Sequence, residues 1–229
     1  MSAPAPTPVP LRKPPFPPRR GGGFWSSAQH AWNGLVHAVV HQPNMKVHVV
    51  SAILVGLVGS GIPLGLAEKV TLIFCVLLVF FAEILNSALE TLVDLATQEF
   101  DEKARLTKDA AAAAVLVLSI GSVVIFAALL VHNWATVTAN IPRIERQVLL
   151  GLPLAACAAL LMRDRPRPWA EDGAAFAVGL GLIVALALWT SSAVFSAMTF
   201  GLLVLAGAAA LVRQREQRAA RATKNPAAT

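Results

Sequence analysis

The feature that most constrains this chain is a succession of apolar runs. They cover about residues 47–66, 70–96, 110–131, 148–162, 174–189 and 193–212. A bilayer core of ~30 Å needs about 20 apolar residues in a helix to cross it. Lipid offers the backbone no hydrogen-bond partners, so only helices and closed barrels span it. Runs of this length without alternation are helical, and the expected fold class is an all-α integral membrane protein. The run 148–162 is short for a span. Gly56, Gly59, Gly61 and Pro63 are expected to loosen the far end of the first.

Only 14% of residues are charged against 56% hydrophobic, where soluble domains carry about 25% charged. That excludes general disorder, which needs few apolar residues. The two cysteines, Cys75 and Cys157, both lie inside apolar runs, which excludes a disulfide scaffold. The formal net charge is +6, but its carriers cluster in tails and short loops: Arg12 to Arg20, Lys103 to Lys108, Arg163 to Arg167, and Arg213 to Arg221. Basic flanks of apolar spans mark cytoplasmic loops. They place both ends of a six-span protein on the cytoplasmic side. Arg143 and Arg146 run against that assignment. No basic–aromatic interleaving points to nucleic acid, and no such partner is expected.

Eight of the 15 prolines precede Arg19, so residues 1–23 read as a disordered Pro-rich cytoplasmic tail. From Phe24 to His41 the period becomes helical. Trp25, Trp32, Val36 and Val39 can share a broad face, and His30, Asn33, His37 and His41 form a polar stripe. This pattern fits an amphipathic helix on the membrane surface. His37 and His41 have a metal-capable i, i+4 spacing, but a wet polar face accounts for them more simply. Pro43 ends the helix.

The second run carries Glu83, Asn86, Glu90 and Asp94. Steps of three, seven and eleven from Glu83 place all four within about 80° of the helix circumference. An acid near the bilayer centre costs ~2.5–3.5 kcal/mol on insertion scales, so a stripe of three marks a site facing the bundle interior. The stripe leads into a charged loop with Glu99, and the next helix opens with Lys108 and Asp109. Carboxylates that hold Mg²⁺, an ammonium for phosphate oxygens and one more carboxylate to take a hydroxyl proton are the minimal parts of phosphoryl transfer. Neither G-x-x-x-x-G-K-[ST] nor G-x-G-x-x-G occurs. A nucleotide site would have to be built from helices.

Phe81 to Glu90, Val93-Asp94, Glu99-Phe100 and Lys108-Asp109 before an Ala-rich helix closely resemble the bacterial diacylglycerol kinase and undecaprenol kinase family. Ala31 to Leu35 and Gln42 to His48 fit the same pattern. The resemblance covers about residues 27–131. It implies a surface helix plus three transmembrane helices per chain in a homotrimer of the bacterial inner (cytoplasmic) membrane. It further implies transfer of the γ-phosphate of MgATP to a membrane lipid alcohol, undecaprenol or diacylglycerol. It makes Glu83 the general base on the lipid hydroxyl, with Asn86 positioning substrate or phosphate and Glu90 ligating Mg²⁺. Asp94, Glu99, Lys108 and Asp109 would bind ATP. Gln42 stands where many members carry a second metal-binding glutamate, and its amide oxygen can ligate without charge. The His41 to His48 stretch looks closer to the undecaprenol kinase branch.

The domains expected are thus the tail 1–23, a kinase-like membrane module 24–133, a membrane extension 134–212 of about three helices, and a basic tail 213–229. Within the extension, Arg165-Pro166-Arg167-Pro168-Trp169 is faintly similar to type-2 phosphatidate phosphatases. The catalytic histidine positions hold Leu180 and Thr199, so no phosphatase activity is expected. Removing everything after about Ile141 is expected to leave the kinase module working. Two other classes compete: an ion or proton pathway along the acids, and a catalytically silent scaffold.

Overall fold

A computed structural model describes residues 23–224. The Pro-rich tail, apart from Gly23, lies outside the described residues, as does 225–229. The chain folds as α1 (Phe24–His41), α2 (Pro43–Gly61), α3 (Leu66–Ala96), α4 (Glu102–His132), a short α5 (Trp134–Ala139), α6 (Ile141–Met162), α7 (Trp169–Ala187) and α8 (Ala193–Lys224). Among the described residues there is no strand, and α2, α3, α4, α6, α7 and α8 are long and apolar enough to cross a membrane. The chain is an all-α, multi-pass membrane protein.

Local chemistry sets the breaks. Gln42 is extended (φ −99°, ψ 114°) between α1 and α2, as the residue before a proline must be. Ile62 is extended before Pro63 for the same reason. Asp101 starts α4 by accepting the Ala104 N–H at 2.9 Å, a standard N-cap. α6 begins seven residues before the short apolar run and spans roughly 33 Å at 1.5 Å per residue. The fourth span is therefore full length, and its first two turns carry Arg143 and Arg146. Residues 213–224, expected to begin a basic tail, continue α8 as helix.

The glycines of α2 do not loosen it. The helix runs unbroken to Gly61, and Gly56, Gly59 and Gly61 are buried. A Cβ on Gly59 would stand 2.8 Å from the Phe195 ring of α8. Gly151 of α6 likewise makes room for the methyl groups of Leu57. Small residues let helices approach where lipid supplies no hydrophobic drive.

The packing divides unevenly. α2 lies between α6 and α8, and α1 lies along α8. Val39, Val49, Ile53, Leu154, Leu203 and Ala206 share one core across these helices. α3 and α4 pack mainly on each other, and α4 buries little beyond Ala111 and Val115. α1 differs from its expected single face: Val36 and Val39 are buried while Trp25 is 82% exposed.

Where α6 ends and α7 begins, a buried polar knot ties the extension together. Arg213 Nη2 lies 2.5 Å from Asp172 Oδ2. The same guanidinium donates to the carbonyls of Leu161 and Arg163. Gln214 Nε2 donates to Asp172 Oδ2 at 2.6 Å.

Candidate functional site

α3 buries Leu72, Cys75, Val79, Ala82, Glu83 and Asn86, a face that repeats in steps of three and four. The same face changes character along its length. At the α4-proximal mouth it is carboxylate-rich; below Glu83 it is apolar. Glu83 is 1% exposed and Asn86 5%, Glu90 is half-buried, and Asp94 and Glu99 are exposed. The acids thus descend from solvent into the bundle and stop at Glu83.

Asn86 Nδ2 donates to Glu90 Oε1 at 2.9 Å. Both carboxylate oxygens of Glu83 and the amide oxygen of Asn86 are buried without a hydrogen-bond partner. Buried polar atoms are normally satisfied, and an unpaired buried carboxylate is costly. These orphaned oxygens form an acceptor set that fits a hydroxyl donor or a divalent cation.

At the mouth, Lys108 Nζ meets Asp94 Oδ1 at 2.6 Å, joining the start of α4 to the end of α3. Asp94, Glu99 and Lys108 line an open cleft of about 620 Å³ between those helix ends, together with Arg105. Asp109 points elsewhere: it accepts Arg105 Nη1 at 2.7 Å, and Arg105 also holds Glu102 at 2.5 Å. Arg105 is a cation at the cleft that the spacing argument passed over. Its signal was the Glu102, Arg105, Asp109 spacing of three and four on one helix. Gln42 sits at the α1–α2 elbow, half-buried. Among the described residues no three His, Cys, Asp or Glu converge closely enough to hold a metal alone.

Below Glu83 the same α3 face lines an apolar cavity of about 270 Å³, shared with α2 and α4. Val79 and Phe80 border it within one turn of Glu83. Its few polar groups are His48, Ser51, Ser119 and Ser122, and the Ser119 hydroxyl has no partner. Sequence reasoning missed this cavity. The signal available was serine at one-turn spacing inside otherwise apolar runs.

Comparisons with known proteins bear on the segment that carries this site. A family model described as prokaryotic diacylglycerol kinase matches residues 29–130. A diacylglycerol kinase of Synechocystis sp. is 35% identical over 105 residues, covering 45% of this chain and 60% of that one. A diacylglycerol kinase of Escherichia coli (strain K12) is 33% identical over 104 residues, covering 45% of this chain and 85% of the relative. An undecaprenol kinase of Bacillus subtilis is 32% identical over 102 residues, covering 44% and 83%. No solved structure matches the chain.

Proposed function

The chain belongs to the prokaryotic diacylglycerol kinase family of lipid kinases, and we propose that it transfers the γ-phosphate of MgATP to a polyprenol of the undecaprenol type, with diacylglycerol the other candidate acceptor. The family implies a nucleotide phosphate donor and a lipid alcohol acceptor. ATP, Mg²⁺, the polyprenol preference and a homotrimer in the inner membrane, with its site toward the cytoplasm, are our reading.

Glu83 takes the proton of the lipid hydroxyl. The alcohol oxygen then bonds to the γ-phosphorus as the bridge to the β-phosphate breaks, and ADP leaves. Asn86 positions Glu90 through its 2.9 Å hydrogen bond and offers its free amide oxygen to the acceptor. Glu90, with Gln42, would hold Mg²⁺, which supplies charge neutralisation on the phosphates when bound. Lys108 exchanges Asp94 for a phosphate oxygen, a charge-assisted contact. Asp94 and Glu99 shape the nucleotide side of the cleft. Asp109 holds Arg105 in place, which brings a second cation to the cleft. The 270 Å³ cavity would take the apolar stem of the acceptor, with its hydroxyl one turn away at Glu83.

The observation that carries the reading is Glu83: buried, both oxygens unpartnered, at the end of a carboxylate stripe that opens at Lys108. A pathway through the membrane is not favoured, because the face beyond Glu83 continues as Val79, Cys75 and Leu72. Purified protein with radiolabelled ATP and either lipid tests the proposal. Label in both lipids is expected, with the larger kcat/KM for undecaprenol. Bound nucleotide with no label in either lipid would favour the scaffold.

A further inference from the structure

Arg143 and Arg146 are basic residues that neither the topology nor the kinase reading uses. They lie at the end of the bundle opposite the Asp94–Lys108 cleft, in the first two turns of α6. Positive charge is disfavoured at that end by the distribution that orients the other loops. The structure gathers both of them into one open cleft of about 480 Å³, between the start of α6 and the loop joining α7 to α8.

The cleft is built on fixed parts. Arg143 Nη1 donates to Asn140 Oδ1 at 3.0 Å, which holds one arm of its fork. The Arg146 guanidinium lies 4.4 Å from the centre of the Trp189 ring. That stacking orients the plane and leaves its N–H edges free. The wall behind them is tied down: Ser191 N–H donates to the Ser60 carbonyl at 2.8 Å, and the Ser191 hydroxyl lies 2.9 Å from the Ile62 carbonyl. Neither arginine forms an ion pair among the described residues. Glu145, the one acid between them, is exposed and forms none there either.

Trp189 with one arginine could be a simple interfacial anchor. Two guanidinium forks line a single cleft, more than anchoring needs, and such a fork can hold two oxygens of a phosphate. We propose that this cleft binds a phosphate group, of the kind an anionic lipid headgroup presents at that surface. The inference is independent of the kinase reading, because it shares no residue with the Glu83–Lys108 site.

The test is lipid binding by the full chain in neutral detergent, followed by native mass spectrometry. The probes are phosphatidylglycerol, phosphatidylcholine and inorganic phosphate. Arg143→Gln/Arg146→Gln is compared with Arg165→Gln/Arg215→Gln, a control that removes two cations from the opposite end. The tightest phosphatidylglycerol site should weaken at least roughly tenfold in the first variant and hold in the control. Arg146→Lys, which keeps the charge and loses the fork, should also weaken it. Competition by inorganic phosphate would assign the ligand as free phosphate, and its failure would assign the lipid headgroup. Wild-type affinity in Arg143→Gln/Arg146→Gln, with normal elution on gel filtration, would overturn the proposal. Phosphatidylcholine bound as tightly as phosphatidylglycerol, with neither weakened in Arg143→Gln/Arg146→Gln, would overturn it as well.

Discussion

The α3–α4 pair and the block formed by α1, α2, α6, α7 and α8 are built for different tasks. The pair holds Glu83, Asn86, Glu90, Asp94, Glu99, Lys108 and Asp109, and leaves much of α4 exposed. The block holds the continuous core, its own buried ion pair, and, of the candidate site, only Gln42. The acids of the candidate site on a thinly packed pair, and the core in a separate block, are a division the family boundary does not follow. The family model ends at residue 130, between the two halves of the sequence, whereas α1 and α2 pack chiefly with helices beyond that limit.

The largest expected effect falls on the pair. Glu83→Gln should lower kinase turnover by about 10²–10⁴-fold, the usual worth of a general base. Glu90→Ala should abolish Mg²⁺-dependent turnover. Glu83→Gln should not lower thermal stability in detergent, because it removes an unpartnered buried carboxylate, and Glu90→Ala should cost no more than its single hydrogen bond from Asn86. A lipid phosphorylation assay paired with a melting curve reads both. Wild-type turnover in Glu90→Ala would break the metal assignment.

Truncation after Asn140 tests the division from the other side. From sequence, α6–α8 look like an appendage, and the kinase module is expected to work without them. In the structure the cut would strip α2 of the helices on both of its sides and α1 of α8. The truncated chain is now expected to elute as a heterogeneous or aggregated species with little turnover. A monodisperse, active truncation would show that the pair can organise α1 and α2 without the extension.

How much of this was legible in the sequence depended on the kind of physics involved. Apolar length reports spans directly, so α2, α3, α4, α6, α7 and α8 were all visible, and only the polar ends were missed. The α6 start was missed because Ile141 to Gln147 mixes charge with apolar residues. The stripe from Glu83 to Asp94 was legible because one helix fixes its angular spacing. Pairings between helices were not: Gly59 as a seat for Phe195 and Arg213 with Asp172 both depend on which helices become neighbours. Small residues in a span read equally well as weakness or as close contact, and only the partner helix decides.

Within the block, Arg213→Ala should have the greatest effect of any single substitution. It leaves the buried Asp172 carboxylate with only the Gln214 amide as partner and frees the carbonyls of Leu161 and Arg163. Breaking a buried pair from one side costs about 3–5 kcal/mol. The companion Asp172→Asn/Arg213→Met should recover part of that loss, since the lone buried charge is then gone. Both are read from denaturation midpoints in detergent, and equal stability of Arg213→Ala and wild type would remove the knot from the account. Gly59→Ala comes next. Its new methyl must displace the Phe195 ring, an overpacking effect of about 1–3 kcal/mol.

The smallest effect belongs to the contact where the elbow of α1 and α2 meets the extension. Lys46 Nζ lies 2.5 Å from Asp164 Oδ1, yet the Asp164 side chain is 72% exposed. Solvent screens such a pair, and exposed ion pairs contribute about 0–1 kcal/mol. Lys46→Met should therefore shift the melting midpoint little. If the elbow that carries Gln42 is held by the apolar packing of Val39, Val49 and Ile53, the KM for MgATP should be equally insensitive. A several-fold rise in that KM without loss of stability would mean that the ion pair positions the elbow. The division between a pair that bears the candidate site and a block that supplies stability would then fail at this contact.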